Sequence, residues 1–174
     1  WRLLLYILGD NNLADAIDPD LQEIIAANMG PNVEILAQVD RPDAAIERLQ
    51  LSNGRIERLE VIMGAEDSSD PQRLTDFIAW ADERQPATRT GLIFWNHGGG
   101  WLGSGQDDQP GPGQAPSSMD LSAIAEGISA GRGCEPSEPC GDPLSLIGFD
   151  ACLMASAEVA AQLRNLGRVM VASA

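Results

Sequence analysis

Four segments of this chain are apolar almost from end to end: RLLLYIL (2–8), VEILAQVD (33–40), TGLIFWN (90–96) and LSLIGFD (144–150). A strand with one face in water alternates apolar and polar side chains. A nearly unbroken apolar run therefore belongs to a strand covered on both faces. Helical patterns separate these runs, which predicts a mostly parallel sheet with helices on both faces, a three-layer α/β architecture. In such sheets the binding crevice lies at the carboxyl ends of the strands. Residues just past those ends are where chemistry is expected.

The intervening segments supply the rest of the plan. GDNNL (9–13) ends the first strand as a turn, and DPDLQEIIAANM (18–29) reads as a helix with Asp18 as N-cap and Pro19 in its first turn. AIERLQL and RIERLEVI alternate on either side of SNG (52–54), which predicts a β-hairpin with an Asn-Gly turn. DPQRLTDFIAWADERQP (70–86) places Leu74, Phe77, Ile78 and Ala81 on one helical face. MDLSAIAEGISAG (119–131) reads as a helix capped by Asp120, and ACLMASAEVAAQLRNLG (151–167) as a helix closed by Gly167. RVMVASA (168–174) opens a further strand. The Gly- and Pro-rich stretch 102–118 is expected to be a mobile loop, and 131–143 a second irregular loop. There is no internal repeat.

A length of 174 residues suits one domain. Eleven basic against twenty-six acidic residues give a net charge of −15, which disfavours nucleic acid because nothing neutralises a row of phosphates. The same charge suits cationic partners or simply a solvated acidic surface. No apolar run is long enough to span a bilayer, and the first residues show no basic n-region or cleavage pattern. A chain beginning with tryptophan is expected to be a mature or excised part of a longer precursor.

Two of the three cysteines, Cys134 and Cys140, lie in GRGCEPSEPCGDP, a stretch unsuited to a core element. The spacing predicts a small disulfide-bonded loop, since no second cysteine pair or nearby histidine completes a zinc set. A disulfide implies an oxidising compartment, hence a secreted or periplasmic location.

The third cysteine, Cys152, follows the strand 144–150, and the chain's single histidine, His97, follows the strand 90–96 in FWNHGGGW (94–101). If the two strands are neighbours, thiol and imidazole meet at one sheet edge. Read as the first turn of a helix, Cys152 gains thiolate character from the helix dipole. His97 can take the thiol proton and return it to a leaving amine, and the backbone N–H groups of Gly98 and Cys152 can hold an oxyanion. Together these are the parts of an acyl-transfer site. Each residue also has a plainer reading: a cysteine after a buried strand is commonly a small core hydrophobe. HGGG also occurs in esterase oxyanion holes, but those need a G-x-S-x-G elbow and a later histidine, both absent. A papain-like order, cysteine before histidine, is excluded by position.

YILGDNNL (6–13), FWNHGGGW (94–101) and GFDACLMASAEVA (148–160), in that order, resemble the clostripain family of cysteine endopeptidases. The resemblance implies a caspase-like fold, shared with gingipains, legumains and caspases, and an endopeptidase that cleaves after basic residues, arginine before lysine. It implies His97 and Cys152 as the dyad and Asp150 as the acidic residue receiving the basic side chain; Asp150 can equally cap the following helix. Asp10, Asn11 and Asn12 are read as a structural loop on the same edge, and Glu158 as a helix-surface residue. The family continues beyond VMVASA (169–174), so the fold is expected to be truncated at its C-terminus, with the other pocket wall supplied by the rest of a precursor. Family members often cut themselves between histidine and cysteine, where Arg132 is the only basic residue. Some members bind calcium and the acidic composition permits it, but GQDDQP (105–110) lacks EF-hand spacing, so no metal site is assigned and no cofactor is required. The rival expectation is a catalytically inactive fragment that acts as a binding module.

Overall fold

In chain order the strands are β1 (Arg2–Leu8), β2 (Glu34–Asp40), β3 (Ile46–Ser52), β4 (Arg55–Ile62), β5 (Thr90–Trp95), β6 (Ser104–Asp107), β7 (Ser117–Met119), β8 (Leu146–Asp150) and β9 (Met170–Ala172). The helices are α1 (Ala14–Ala26), α2 (Pro71–Asp82), α3 (Leu121–Gly131) and α4 (Ala157–Leu163). This computed structural model describes every residue except 28, 53, 65, 66 and 85. Seven strands form one sheet in the order β4-β3-β2-β1-β5-β8-β9. The four apolar runs make its centre, all parallel, and the expected hairpin β3–β4 extends one side antiparallel. Asn53 of the expected turn lies outside the described residues.

Each face of the sheet has its own core. Ile17, Leu21 and Ile25 of α1 pack on Leu5, Ile7, Ala37 and Val39. On the opposite face Leu74, Phe77, Ile78, Ile124 and Ile128 of α2 and α3, with Val159 of α4, cover Leu4, Tyr6, Leu92 and Phe94. Burying each such side chain contributes about 1.5–3 kcal/mol. Period-2 geometry sends Tyr6 and its partners to one face and Ile7 to the other.

An aromatic row locks the register of the central strands. Tyr6 pairs with Phe94 and Phe94 with Phe149 across β1, β5 and β8. Their ring centroids stand 5.9 Å and 5.2 Å apart, edge-on and stacked respectively. A slip of one residue in any of these strands would turn its ring toward the wrong face. Adjacent strand ends therefore finish level.

Three expectations are corrected. First, α1 starts at Ala14, not at Asp18, and Pro19 lies inside it. The Asn11 Oδ1 accepts the Leu13 N–H at 2.9 Å, and this Asx turn launches the helix earlier. Pro19 forfeits one intrahelical hydrogen bond, offset by the buried stripe of Ile17, Leu21 and Ile25. Asp18 instead pairs with Arg41 at 2.7 Å.

Second, no helix begins at 151. Residues 151–156 are irregular, and α4 starts at Ala157 behind Ser156, whose hydroxyl accepts the Val159 N–H at 3.3 Å. Leu153 has φ 63°, a left-handed conformation that ends a right-handed path, and Met154 turns into the core with 0% exposure. Cys152 therefore stands in no helix's first turn and gains nothing from a helix dipole, and the cap of α4 is Ser156, not Asp150. At its other end α4 stops at Leu163, and Gly167 bridges Leu144 instead of closing the helix.

Third, the stretch 102–118 is anchored at both ends. β6 pairs antiparallel with β7, and Ser104, Gly105 and Asp107 are buried. Polar and glycine-rich composition read as solvent-facing because the partners of these residues lie elsewhere in the chain. Helix α3 carries the expected cap, Asp120, and Asp70 caps α2 in the same way, each accepting a backbone N–H. Cys134 and Cys140 are disulfide-bonded, with Cα atoms 5.4 Å apart. No described helix is long and apolar enough to cross a membrane.

Candidate active site

The last registered pair of β5 and β8 is Trp95 with Asp150, so His97 and Cys152 each stand two residues beyond it. The Asn96 N–H donates to the Asp150 carbonyl at 3.4 Å, carrying the pairing one step further. Beyond that, Gly98 lies directly on the cysteine's main chain. A Cβ there would fall 2.0 Å from the Cys152 carbonyl oxygen and 3.1 Å from Ala151 Cβ. Only glycine allows this approach. The segment bearing the imidazole and the segment bearing the thiol are thus in contact, as the sequence predicted.

Side chains from three segments hold the histidine in place. Asn11 and Asn96, both buried, each donate Nδ2 hydrogens to the carbonyls of Leu8 and Gln106, at 2.6–2.9 Å. Asn96 Oδ1 accepts the His97 N–H, and Ser104 Oγ donates to the His97 carbonyl at 2.7 Å. The ring itself is held by Asn12, whose Oδ1 lies 2.7 Å from His97 Nε2. A carboxamide oxygen only accepts, so Nε2 carries the hydrogen and Nδ1 of the neutral ring keeps its lone pair. Asn11 is structural, as expected, but Asn12 is not merely so: it reaches the imidazole. Asn96 went unnoticed in the sequence. The signal for both was present in a cluster of asparagines at strand ends, where an amide can serve several backbones at once.

Cys152 is an exposed free thiol and Asp150, at the end of β8, is exposed on the same edge. The bridge between Gly98 and Ser104 is closed by the Gly99 N–H on the Gly103 carbonyl, 2.8 Å, so the Gly98 N–H is not spent on it. The left-handed Leu153 immediately follows the thiol, and such strain costs about 1–3 kcal/mol and collects at functional positions. Arg132 lies elsewhere. Its guanidinium is bonded to Asp82 and Asp142, in a cleft with Thr90 and Ser145 at the opposite end of the strands. Cleavage after Arg132 would first have to free that side chain. Glu158 is exposed on α4. A cavity of ≈ 1120 Å³ also lies at the far end, around Trp1, Asn32 and Thr88. Neither the thiol of Cys152 nor the imidazole of His97 lines it.

Beside the asparagines lies a group that the sequence did not suggest. Asp10, Asp40 and Asp107 are 3%, 2% and 0% exposed, and one carboxylate oxygen of each lies within 4.8 Å of the others. Asp107 accepts from the Ser68 N–H and hydroxyl and from the Gln109 N–H. Burial first, then mutual repulsion, pushes Asp10 up to about 6. Burial is likewise the main cause that raises Asp40 to about 8, and it raises Asp107 as well. Two residues from one loop and strand end and a third from far along the chain meet only in the fold.

Known proteins share this arrangement of elements. A secreted C11 cysteine protease from Bacteroides thetaiotaomicron, crystallised with an irreversible peptide inhibitor, superposes with a TM-score of 0.74 at 29% identity, over 95% of this chain and 46% of its own. An inactive zymogen C11 protease from Parabacteroides distasonis gives 0.73 at 26% identity, over 95% and 46%. Clostripain of Hathewaya histolytica is 27% identical over 93% of this chain and 35% of its own length. The chain thus spans less than half of these relatives. The model of the clostripain family matches residues 5–174, which include every strand end described above, and the chain belongs to that family.

Proposed function

We propose that this chain is the nucleophile-bearing part of a cysteine endopeptidase that cleaves after basic residues, arginine before lysine. The observation that carries the reading is the seating of Gly98 on the Cys152 carbonyl, which brings histidine and cysteine strand ends together. His97 Nδ1 takes the proton of the Cys152 thiol, and the thiolate attacks the scissile carbonyl carbon. The tetrahedral oxyanion is received by the Gly98 and Cys152 N–H groups. His97 then protonates the leaving amine, the C–N bond breaks, and a thioester remains. Water, deprotonated by His97, releases the acid and restores the thiol. No metal or cofactor takes part in these steps.

Asn12 is a positioning residue in this scheme, since it sets which imidazole nitrogen bears the proton. In the full-length protein, Asn12→Ala should lower kcat by about 10- to 100-fold with KM little changed. Asn12→Asp retains an acceptor and should recover most of that loss, with the acid limb of the pH profile moved upward because a carboxylate favours imidazolium. A purely structural Asn12 would show neither the recovery nor the moved limb.

Asp150 is the proposed acceptor of the P1 side chain, paired bidentately with guanidinium. The test is alkylation of the full-length protein by an arginyl chloromethylketone, followed by peptide mapping. Rapid modification confined to Cys152 is expected, slowed about 10-fold or more in Asp150→Asn. Equal rates with an alanyl reagent would remove the specificity claim, and modification elsewhere would remove the site. The second pocket wall comes from the remainder of a longer chain. This is supported by β9, a sheet-edge strand in which Val171 is exposed, as is Val169 just before it. The disulfide supports a secreted or periplasmic location.

A further inference from the structure

Three large apolar side chains stand in solvent beside the proposed nucleophile: Trp101, Leu102 and Leu153 are 68%, 60% and 58% exposed. Ordered backbone holds all three there. Trp101 and Leu102 belong to a 3₁₀ turn, Gly100–Leu102, closed by the Gly99 N–H on the Gly103 carbonyl at 2.8 Å and the Gly103 N–H on the Gly100 carbonyl at 3.0 Å. That turn rests on the residue after the thiol. A Cβ on Gly100 would fall 3.2 Å from the Leu153 carbonyl oxygen and 3.9 Å from Leu153 Cβ. Leu153 keeps its side chain exposed on a left-handed backbone, φ 63°. Adjoining apolar groups fixed in water mark a surface that a ligand covers.

We infer that Trp101, Leu102 and Leu153 form an apolar subsite for the first two substrate residues beyond the scissile bond, P1′ and P2′. The subsite takes aliphatic and aromatic side chains there and rejects acidic ones. The inference rests on the peptidase reading, which fixes the occupant. His97 gives its proton to the leaving amine, so the amine half of the substrate lies over the histidine-bearing segment. That segment runs on from the oxyanion donor Gly98 directly to Trp101 and Leu102. The acyl half is held by Asp150.

The composition of the two segments sets the selectivity. In a chain of net charge −15, residues 98–106 carry no charged side chain, and neither do residues 151–157. A carboxylate brought against Trp101 and Leu153 would lose water and gain no partner. An aliphatic or aromatic side chain there gains by covering the indole and the two leucines. Selection on this side is independent of the charge pairing at P1, since it uses different residues and a different force.

The full-length protein is assayed with internally quenched peptides that share arginine at P1 and carry leucine, phenylalanine or aspartate at P1′ or P2′. Leucine and phenylalanine should exceed aspartate by about tenfold or more in kcat/KM at one or both positions. Trp101→Ala should remove most of that preference by slowing the leucyl and phenylalanyl peptides. If Trp101→Ala does not fold, Leu102→Ala carries the same comparison. The control Met63→Ala, an exposed apolar residue just past β4, four strands from β5, should keep the preference. Alkylation of Cys152 by the arginyl chloromethylketone reads the dyad alone, because that reagent has no residue beyond its reactive carbon. Rapid alkylation with equal cleavage of all the peptides overturns the subsite and leaves the peptidase reading standing. A preference that survives in Trp101→Ala, or alkylation slowed in that variant as much as cleavage, also overturns the subsite. Neither alkylation nor cleavage in the wild type overturns both.

Discussion

Alanine in place of Cys152 in the full-length protein will reduce turnover of an arginyl fluorogenic peptide by about 10⁴-fold or more. The scale follows from the chemistry: with no sulfur there is no thioester, and the remaining oxyanion donors and pocket can only assist water. The loss should be confined to kcat. Cys152 is exposed and unpaired, so its truncation changes stability by no more than about 0.5 kcal/mol. A thermal melt run beside the assay separates lost chemistry from lost fold. Undiminished turnover in Cys152→Ala would end the peptidase reading whatever the fold resembles.

The second large effect is expected at a residue with no side chain. In Gly98→Ala the new methyl group would meet the Cys152 carbonyl at 2.0 Å and Met154 Cγ at 2.9 Å. The first of these is backbone and cannot swing aside, so the histidine and cysteine segments must separate by about an ångström. A displacement of that size between reacting groups costs about 100-fold in rate. Overpacking adds about 1–3 kcal/mol of destabilisation. Gly30→Ala is the control, because nothing lies within 4 Å of the position its Cβ would take. Wild-type kcat in Gly98→Ala would show that the contact does not govern the alignment of the dyad.

These predictions rest on features of unequal legibility. The central strands could be read because burial on both faces leaves a continuous apolar signature, and their helices because Leu74, Phe77 and Ile78 recur at helical spacing. His97 and Cys152 could be read because each follows such a strand. The start of α1 could not, because a Pro19 with a plausible cap before it looks the same whether it opens a helix or lies within one. The irregular path of 151–156 was hidden as well: ACLMASA has good helical propensity, and only the burial of Met154 beneath Gly98 diverts it.

By itself the sequence determined the layered sheet, the strand ends that carry imidazole and thiol, and the disulfide, all of which depend on local pattern or short spacing. The tertiary structure alone decided that Asn12 reaches the imidazole, that 102–118 is stitched to the sheet by Asn11 and Asn96, and that three aspartates share one buried space. Those are meetings of residues distant along the chain, and polar side chains carry no periodic mark of the partner they will find. Hydrophobic burial announces itself residue by residue, whereas a hydrogen bond exists only once both sides have been placed.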